Sequence, residues 1–298
     1  MALRLSKNIK KIFVENWERC KRLHCIYQDN KILLFFSTCV SGCIWGGTLG
    51  LVYFLFPPDI FNIVSFSYSL MIVGEFLSTG GIHQTVFYEV TKKPLLFEHH
   101  KGIVSSGILG VMCVSLCSLG IVFVLHWYFP LIKPLSILAY IGLSFPFLAC
   151  NKVYLWFFNG TLQFKKLALY RSLRYALIFL SLLFFYFLSF PFQCIFLIFT
   201  VPEIILCVVL TIKFRFYFSS CFFPCYRNIK KYLFFGLMSH GSQSLMDINM
   251  KLGVLFIPFL SISTISASVC NAVFLIVDGL YQVLQVCKDV YAIVNKEH

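Results

Sequence analysis

The stretch from Ile103 to Tyr128, IVSSGILGVMCVSLCSLGIVFVLHWY, runs for 26 residues without a Lys, Arg, Asp or Glu. A helix of that length is about 39 Å long at 1.5 Å per residue, enough to cross the ~30 Å hydrocarbon core of a bilayer. A strand in a membrane barrel would alternate apolar and polar positions, and this run does not. Backbone polar groups left bare in lipid are costly, so the run must close its hydrogen bonds within itself, as a helix does.

The same pattern recurs on both sides. Eight apolar runs are expected to be helices, at about 32–56, 62–89, 103–128, 134–158, 174–190, 192–212, 233–260 and 263–286. The Phe-rich run 174–212 divides at Ser189-Phe190-Pro191. Over all 298 residues the hydrophobic fraction is 59%, the charged fraction 12% and the mean hydropathy +0.83. A soluble domain carries about 25% charge, so these values set aside soluble enzymes, nucleic-acid-binding domains and disordered scaffolds. The fold class expected is all-α, a polytopic transmembrane bundle.

The excess charge of +13 is a matter of topology. The connections that would lie on one side hold 22 of the 25 Lys and Arg: the first 31 residues, the 90–102, 159–174 and 213–232 loops, and the tail. The opposite turns hold one, Lys133. The positive-inside rule then puts both termini in the cytoplasm. Residues 1–30 lack the apolar core and small-residue cleavage site of a secretory signal. Ile9, Ile12, Phe13, Trp17 and Cys20 fall at near-helical spacing opposite the basic residues. The segment is either an amphipathic helix on the anionic leaflet or a plain basic tail. The expected organisation is a basic segment at 1–30, a six-helix bundle at 31–213, a basic loop at 214–232 and a helical hairpin with tail at 233–298.

Ionisable residues within spans mark cavities or partners. Glu75 and His83 lie in span 2, Lys152 in span 4 beside Asn151, Glu203 in span 6 after Pro202, Asp247 and Lys251 one turn apart in span 7, and Asp278 in span 8. Span 7 is the most polar, with Ser239, His240, Ser242, Gln243, Ser244 and Asn249. Lys152, Lys251, Asn249 and Gln243 are candidate contacts for an anionic substrate. Glu75, Glu203, Asp247 and Asp278 are candidates for ion coupling or charge balance. Each also has a structural alternative: Asp247–Lys251 can neutralise itself, Lys152 can snorkel to the headgroups, and Glu75 and Glu203 can pair with Lys152 or Lys251. Gly80-Gly81, Pro146 and Pro202 can bend their helices, and Gly42, Gly46, Gly47 and Gly50 give span 1 a small-residue face.

No catalytic signature is present: no Walker phosphate loop, G-x-G-x-x-G, H-E-x-x-H or G-x-S-x-G. The 13 cysteines, several at four-residue spacing, read as small apolar packing residues rather than zinc ligands. Neither a metal nor a cofactor is expected. Asn159-Gly160-Thr161 forms a glycosylation triplet on the cytoplasmic side, where it would not be used.

Three stretches carry a family resemblance. They are Gly74-Glu75-Phe76-Leu77-Ser78-Thr79-Gly80-Gly81-Ile82 through Tyr88-Glu89-Val90; Leu155 to Tyr175 with Asn159 to Lys166 and Arg171; and the span 7–8 hairpin with Asp247, Val269-Cys270-Asn271-Ala272 and Asp278. The chain resembles the polysaccharide-biosynthesis flippases of O-antigen transporter type, in the multidrug/oligosaccharidyl-lipid/polysaccharide exporter superfamily. The resemblance implies two six-helix bundles around a central cavity, here one bundle plus the first hairpin of a second, since eight spans stand where twelve are expected. It implies an inner-membrane flippase that moves undecaprenyl-pyrophosphate-linked glycan by alternating access. Its partners would be membrane lipids and glycan-assembly proteins, with no nucleic acid. A truncated, non-transporting remnant and a membrane-embedded glycan polymerase or acyltransferase are the alternatives.

Topology reporters fused at positions 59, 131, 190 and 262 are expected to report the outside, and one at 298 the inside. An inside signal at any of the first four would break the alternation.

Overall fold

The computed structural model describes residues 36–92, 97–128, 140–188, 194, 196–218, 226–257, 263 and 265–277. They form helices and short connections, and no strand occurs among them. In chain order the helices are α1 (Phe36–Leu55), α2 (Pro58–Thr79), α3 (Ile82–Lys92), α4 (Phe97–Tyr128), α5 (Phe145–Gly160), α6 (Phe164–Phe187), α7 (Leu197–Phe218), α8 (Tyr226–Phe256) and α9 (Ile265–Val277). Long apolar spans are present at α1, α2, α6, α7 and the His100–Tyr128 part of α4, each long and apolar enough to cross a membrane. The expected all-α polytopic bundle is what the chain forms.

The local boundaries have simple causes. Pro57-Pro58 separates α1 from α2, with Pro58 in the first turn, where its missing N–H is no loss. The α2 helix stops at Gly80, whose left-handed φ of 50° lets its N–H return to the Phe76 carbonyl at 3.2 Å. Gly81 follows at φ 73° and α3 starts afresh. The expected single span 62–89 is therefore two helices with a break, a sharper feature than a bend. Pro146 does not bend its helix either. It sits in the first turn of α5, so within the described part of the expected span 134–158 a helix starts afresh at Phe145. Pro202 lies inside α7, as expected.

The largest correction concerns the expected basic loop 159–174. Only Thr161, Leu162 and Gln163 connect α5 to α6. The turn is closed by the Gln163 N–H on the Phe158 carbonyl at 2.8 Å and by Leu162 at φ 58°. Arg171 and Arg174 thus lie in a membrane-crossing helix, and they leave the tally of loop charges without reversing its bias. The expected loop 214–232 likewise narrows, because α7 runs on to Phe218 and α8 starts at Tyr226.

The core has two apolar layers. One, at the end carrying the Pro57 turn, gathers Val52, Phe61, Val64, Met71, Phe145, Leu148, Ile178, Leu182 and Phe199. The other, at the end carrying Lys92, Lys165 and Lys231, gathers Val86, Val104, Val153, Tyr154, Phe157, Tyr170, Leu206 and Phe214. On α6 and α7 the chain passes from one layer to the other through a charged residue, Arg174 and Glu203.

Two close approaches lock α2 and α3 to their neighbours. A Cβ on Gly74 would lie 2.1 Å from the Phe145 ring, and one on Gly236 of α8 would lie 2.6–2.8 Å from Gly80-Gly81 backbone atoms. The α3–α8 contact continues with the Thr85 hydroxyl donating to the Tyr232 carbonyl at 3.1 Å, Tyr88 stacked on Phe235 at 5.1 Å, and Lys231 paired with Glu89 at 3.1 Å. Gly236→Ala is expected to destabilise by about 1–3 kcal/mol, because the backbone it meets cannot rotate away. Gly42→Ala, which meets nothing within 4 Å, is expected to leave stability unchanged or raise it slightly. Melting temperatures in detergent compare the two.

Candidate functional site

Between the two apolar layers lies a belt of charge. Glu75 of α2 pairs with Lys152 of α5 through Oε1 and Nζ. Arg174 of α6 places Nε 2.5 Å from Oε1 of Glu203 on α7, and Nη2 3.9 Å from Oε2 of Glu75. The Asn151 amide donates to the Glu203 carboxylate at 2.8 Å and to the Glu203 carbonyl at 2.9 Å. Four helices meet at two carboxylates, one ammonium and one guanidinium.

The belt is graded in accessibility. The Glu203 side chain is fully buried, Arg174 is 13% exposed, Glu75 19% and Lys152 27%. The Arg174–Glu203 pair is therefore the interior anchor and Glu75–Lys152 the more exposed pair. A single unpaired charge at this depth would be expensive in lipid. Paired and hydrogen-bonded, the charges persist, though replacing a buried pair by apolar side chains is often no worse. Such a pair is thus weak evidence for a stabilising role and better evidence for a functional one.

The sequence candidates are distributed as follows. Glu75, Lys152 and Glu203 are brought together. Lys152 pairs with Glu75, one of the alternatives held open above. For Glu203 the alternative held open was Lys152 or Lys251; Arg174 takes that place instead, because α6 begins ten residues earlier than expected. Lys251 is buried on α8, with Nζ 5.2 Å from the Tyr68 ring centroid, two turns along α2 from Glu75. Asn249 is exposed on α8. The side chains of Gln243 and Asp247 and the whole of Asp278 lie outside the described residues. His83 is buried against Trp156 at 5.2 Å.

Sequence reasoning missed Arg174, Arg171 and the aromatic cluster beside the belt. Trp45 of α1 packs on Tyr68 at 4.1 Å, on Tyr175 at 6.3 Å and on Phe199 at 6.5 Å. Two signals could have found the arginines. Asn159-Gly160-Thr161 is turn chemistry, so a helix can start just after it, and two buried carboxylates call for more cations than Lys152 alone.

Among the described residues no three His, Cys, Asp or Glu side chains converge to hold a metal ion. The eight described cysteines are free thiols, and Cys43, Cys113, Cys117 and Cys270 are exposed on their helices rather than packed inside.

No protein-family model and no curated protein matches the chain. A solved structure described as "Crystal structure of MATE in complex with Br-NRF" aligns with a TM-score of 0.43 and 14% identity, over 76% of this chain and 54% of that one. The chain therefore spans about half the length of that structure.

Arg174→Gln and Glu203→Gln are each expected to cost about 3–5 kcal/mol, since each strands a buried partner. The double variant Arg174→Gln/Glu203→Gln, which strands neither charge, is expected to recover much of that loss. Thermal unfolding of the four proteins in detergent gives the coupling, and additive losses would mean that the pair does not act as a unit.

Proposed function

We propose that the chain is a transporter of the cell inner membrane, with both termini in the cytoplasm. It moves the anionic head group of a lipid-linked oligosaccharide between leaflets by alternating access. The observation that carries this reading is the charge belt between the two apolar layers, more exposed at Glu75–Lys152 and buried at Arg174–Glu203. Ionisable groups held inside a membrane bundle line pathways far more often than they serve packing alone. A polyprenyl tail can stay in lipid while a phosphate and its sugars pass between helices, and cations within the bundle suit the phosphate.

Three further features support it. The α2–α3 break at Gly80-Gly81 supplies a place where one helix can pivot. The Lys231–Glu89 and Tyr88–Phe235 contacts between α3 and α8 lie at the basic end, where such a pivot would open. Lys251 beside the Tyr68 ring sets a cation against an aromatic face, a pairing that sugar-binding sites also use. The flippase-like stretches noted in the sequence include both Glu75 and Gly80-Gly81. In this reading Lys152 and Lys251 contact the anion, together with Asn249 and Gln243 of α8, and Glu75, Glu203, Asp247 and Asp278 balance charge or couple an ion.

The test is appearance of lipid-linked sugar in the outer leaflet, in cells with and without the chain. Lys152→Ala is expected to lower the rate about tenfold or more, the effect of one lost charged contact, while the protein stays in the membrane. Equal outer-leaflet signal with and without the chain would overturn the reading.

A further inference from the structure

Cys150 of α5 is a buried thiol, 5% exposed, in the apolar layer at the basic end, and Cys207 of α7 packs against the same layer. Neither takes part in the charge belt. The two helices run in the same direction, each from the Phe145 and Phe199 layer toward the Phe157 and Phe214 layer. On parallel helices a contact recurs at equal steps along both chains. The Tyr154 hydroxyl lies 3.1 Å from the Thr211 hydroxyl, and one turn earlier on each helix stand Cys150 and Cys207. The two thiols therefore face each other, and they share a hydrogen bond. From the other side Asn151, next in the chain to Cys150, holds Glu203, one turn before Cys207. The thiol pair is thus fixed in register by hydrogen bonds both before and after it.

Facing thiols can hold a soft metal ion or join as a disulfide. Two thiolates around a monovalent ion leave a net charge in an apolar layer, which is costly. A zinc-type ion wants four ligands, and among the described residues no three His, Cys, Asp or Glu converge. A disulfide is neutral and needs no third group. The two sulfurs also differ in access. Cys207 is partly exposed and lies 4.0 Å from the Thr211 hydroxyl, a donor for a departing oxygen, whereas Cys150 is closed off.

We propose that Cys150 and Cys207 form an oxidisable dithiol, a modification site for a peroxide-class oxidant, whose disulfide staples α5 to α7. The Cys207 sulfur attacks one peroxide oxygen and the O–O bond breaks. The thiol proton joins the departing hydroxide as water, and Cys207 is left as a sulfenic acid. The Cys150 sulfur then attacks the Cys207 sulfur, the S–O bond breaks, and the hydroxide leaves as a second water with the Cys150 proton. Two electrons pass from the sulfur pair to the peroxide, and a dithiol reductant reverses the change. The bridge fixes α5 against α7 beside the Asn151–Glu203 contact, so oxidation stiffens the interior of the bundle. This chemistry does not depend on the transport reading.

The test treats the full chain in detergent with hydrogen peroxide, alkylates the remaining thiols with iodoacetamide in denaturant, and maps the peptides by mass spectrometry. A linked Cys150–Cys207 peptide is expected, lighter by two hydrogens than its reduced parts and absent after dithiothreitol. Peroxide is expected to raise the melting temperature by about 5 °C. Cys150→Ala and Cys207→Ala are each expected to lose the linked peptide and the peroxide-dependent rise. Cys207→Ser, at the more exposed position, gives the same reading should an alanine variant fail to fold. Alkylation of both Cys150 and Cys207, after a peroxide dose that oxidises the exposed Cys43 and Cys113, would overturn the proposal. So would sulfinic acid at Cys207 with Cys150 still free. A linked peptide at an unchanged melting temperature would overturn the staple.

Discussion

The Arg174–Glu203 ion pair is the contact on which the rest of the interior depends. It joins α6 to α7 at the level where the two apolar layers meet, and Asn151 of α5 closes it from a third side. In a soluble protein such a pair competes with hydration. Inside a membrane bundle water is scarce, so each charge is tolerated only while the other is present. The positions of α5, α6 and α7 are thereby coupled: moving one helix alone strands a charge. The second pair, Glu75–Lys152, is built on top of the first, reaching Arg174 through the longer 3.9 Å contact. It is the more accessible and the more easily exchanged.

Placing charge between two apolar layers has mechanical consequences. Each layer is packed by aromatic and branched side chains that resist deformation, whereas the belt between them is held by directional contacts that can swap partners. The break at Gly80-Gly81 falls five residues beyond Glu75, where α2 gives way to α3. From there the contact with α8 runs through Gly236, Tyr232, Phe235 and Lys231. A change at mid-depth and a change at the basic end are thus linked by one short helix of 11 residues.

Hydropathy alone marked the apolar runs, five of which form helices long and apolar enough to cross a membrane among the described residues, and single charged residues in apolar surroundings marked Glu75, Lys152 and Glu203 as residues that need partners. These are legible because lipid imposes a strong one-dimensional rule: about 20 apolar residues per crossing, and no charge without a reason. The rule failed at Arg171 and Arg174. Basic residues next to an apolar run look like a cytoplasmic loop, and nothing local separates a loop arginine from one buried by a carboxylate on another helix. Pro146 failed for a related reason, since a proline inside an apolar run is compatible with a bend and with a helix start, and only the packing of Phe145 against Gly74 decides.

What the sequence by itself determined is the all-helical, apolar character of the bundle and the concentration of basic residues in particular stretches of the chain, because each follows from local composition. What only the tertiary structure decided is who pairs with whom. Glu75 takes Lys152 and Glu203 takes Arg174, because charge pairing acts across helices that are 29 to 77 residues apart in the chain and depends on distances that no linear pattern records.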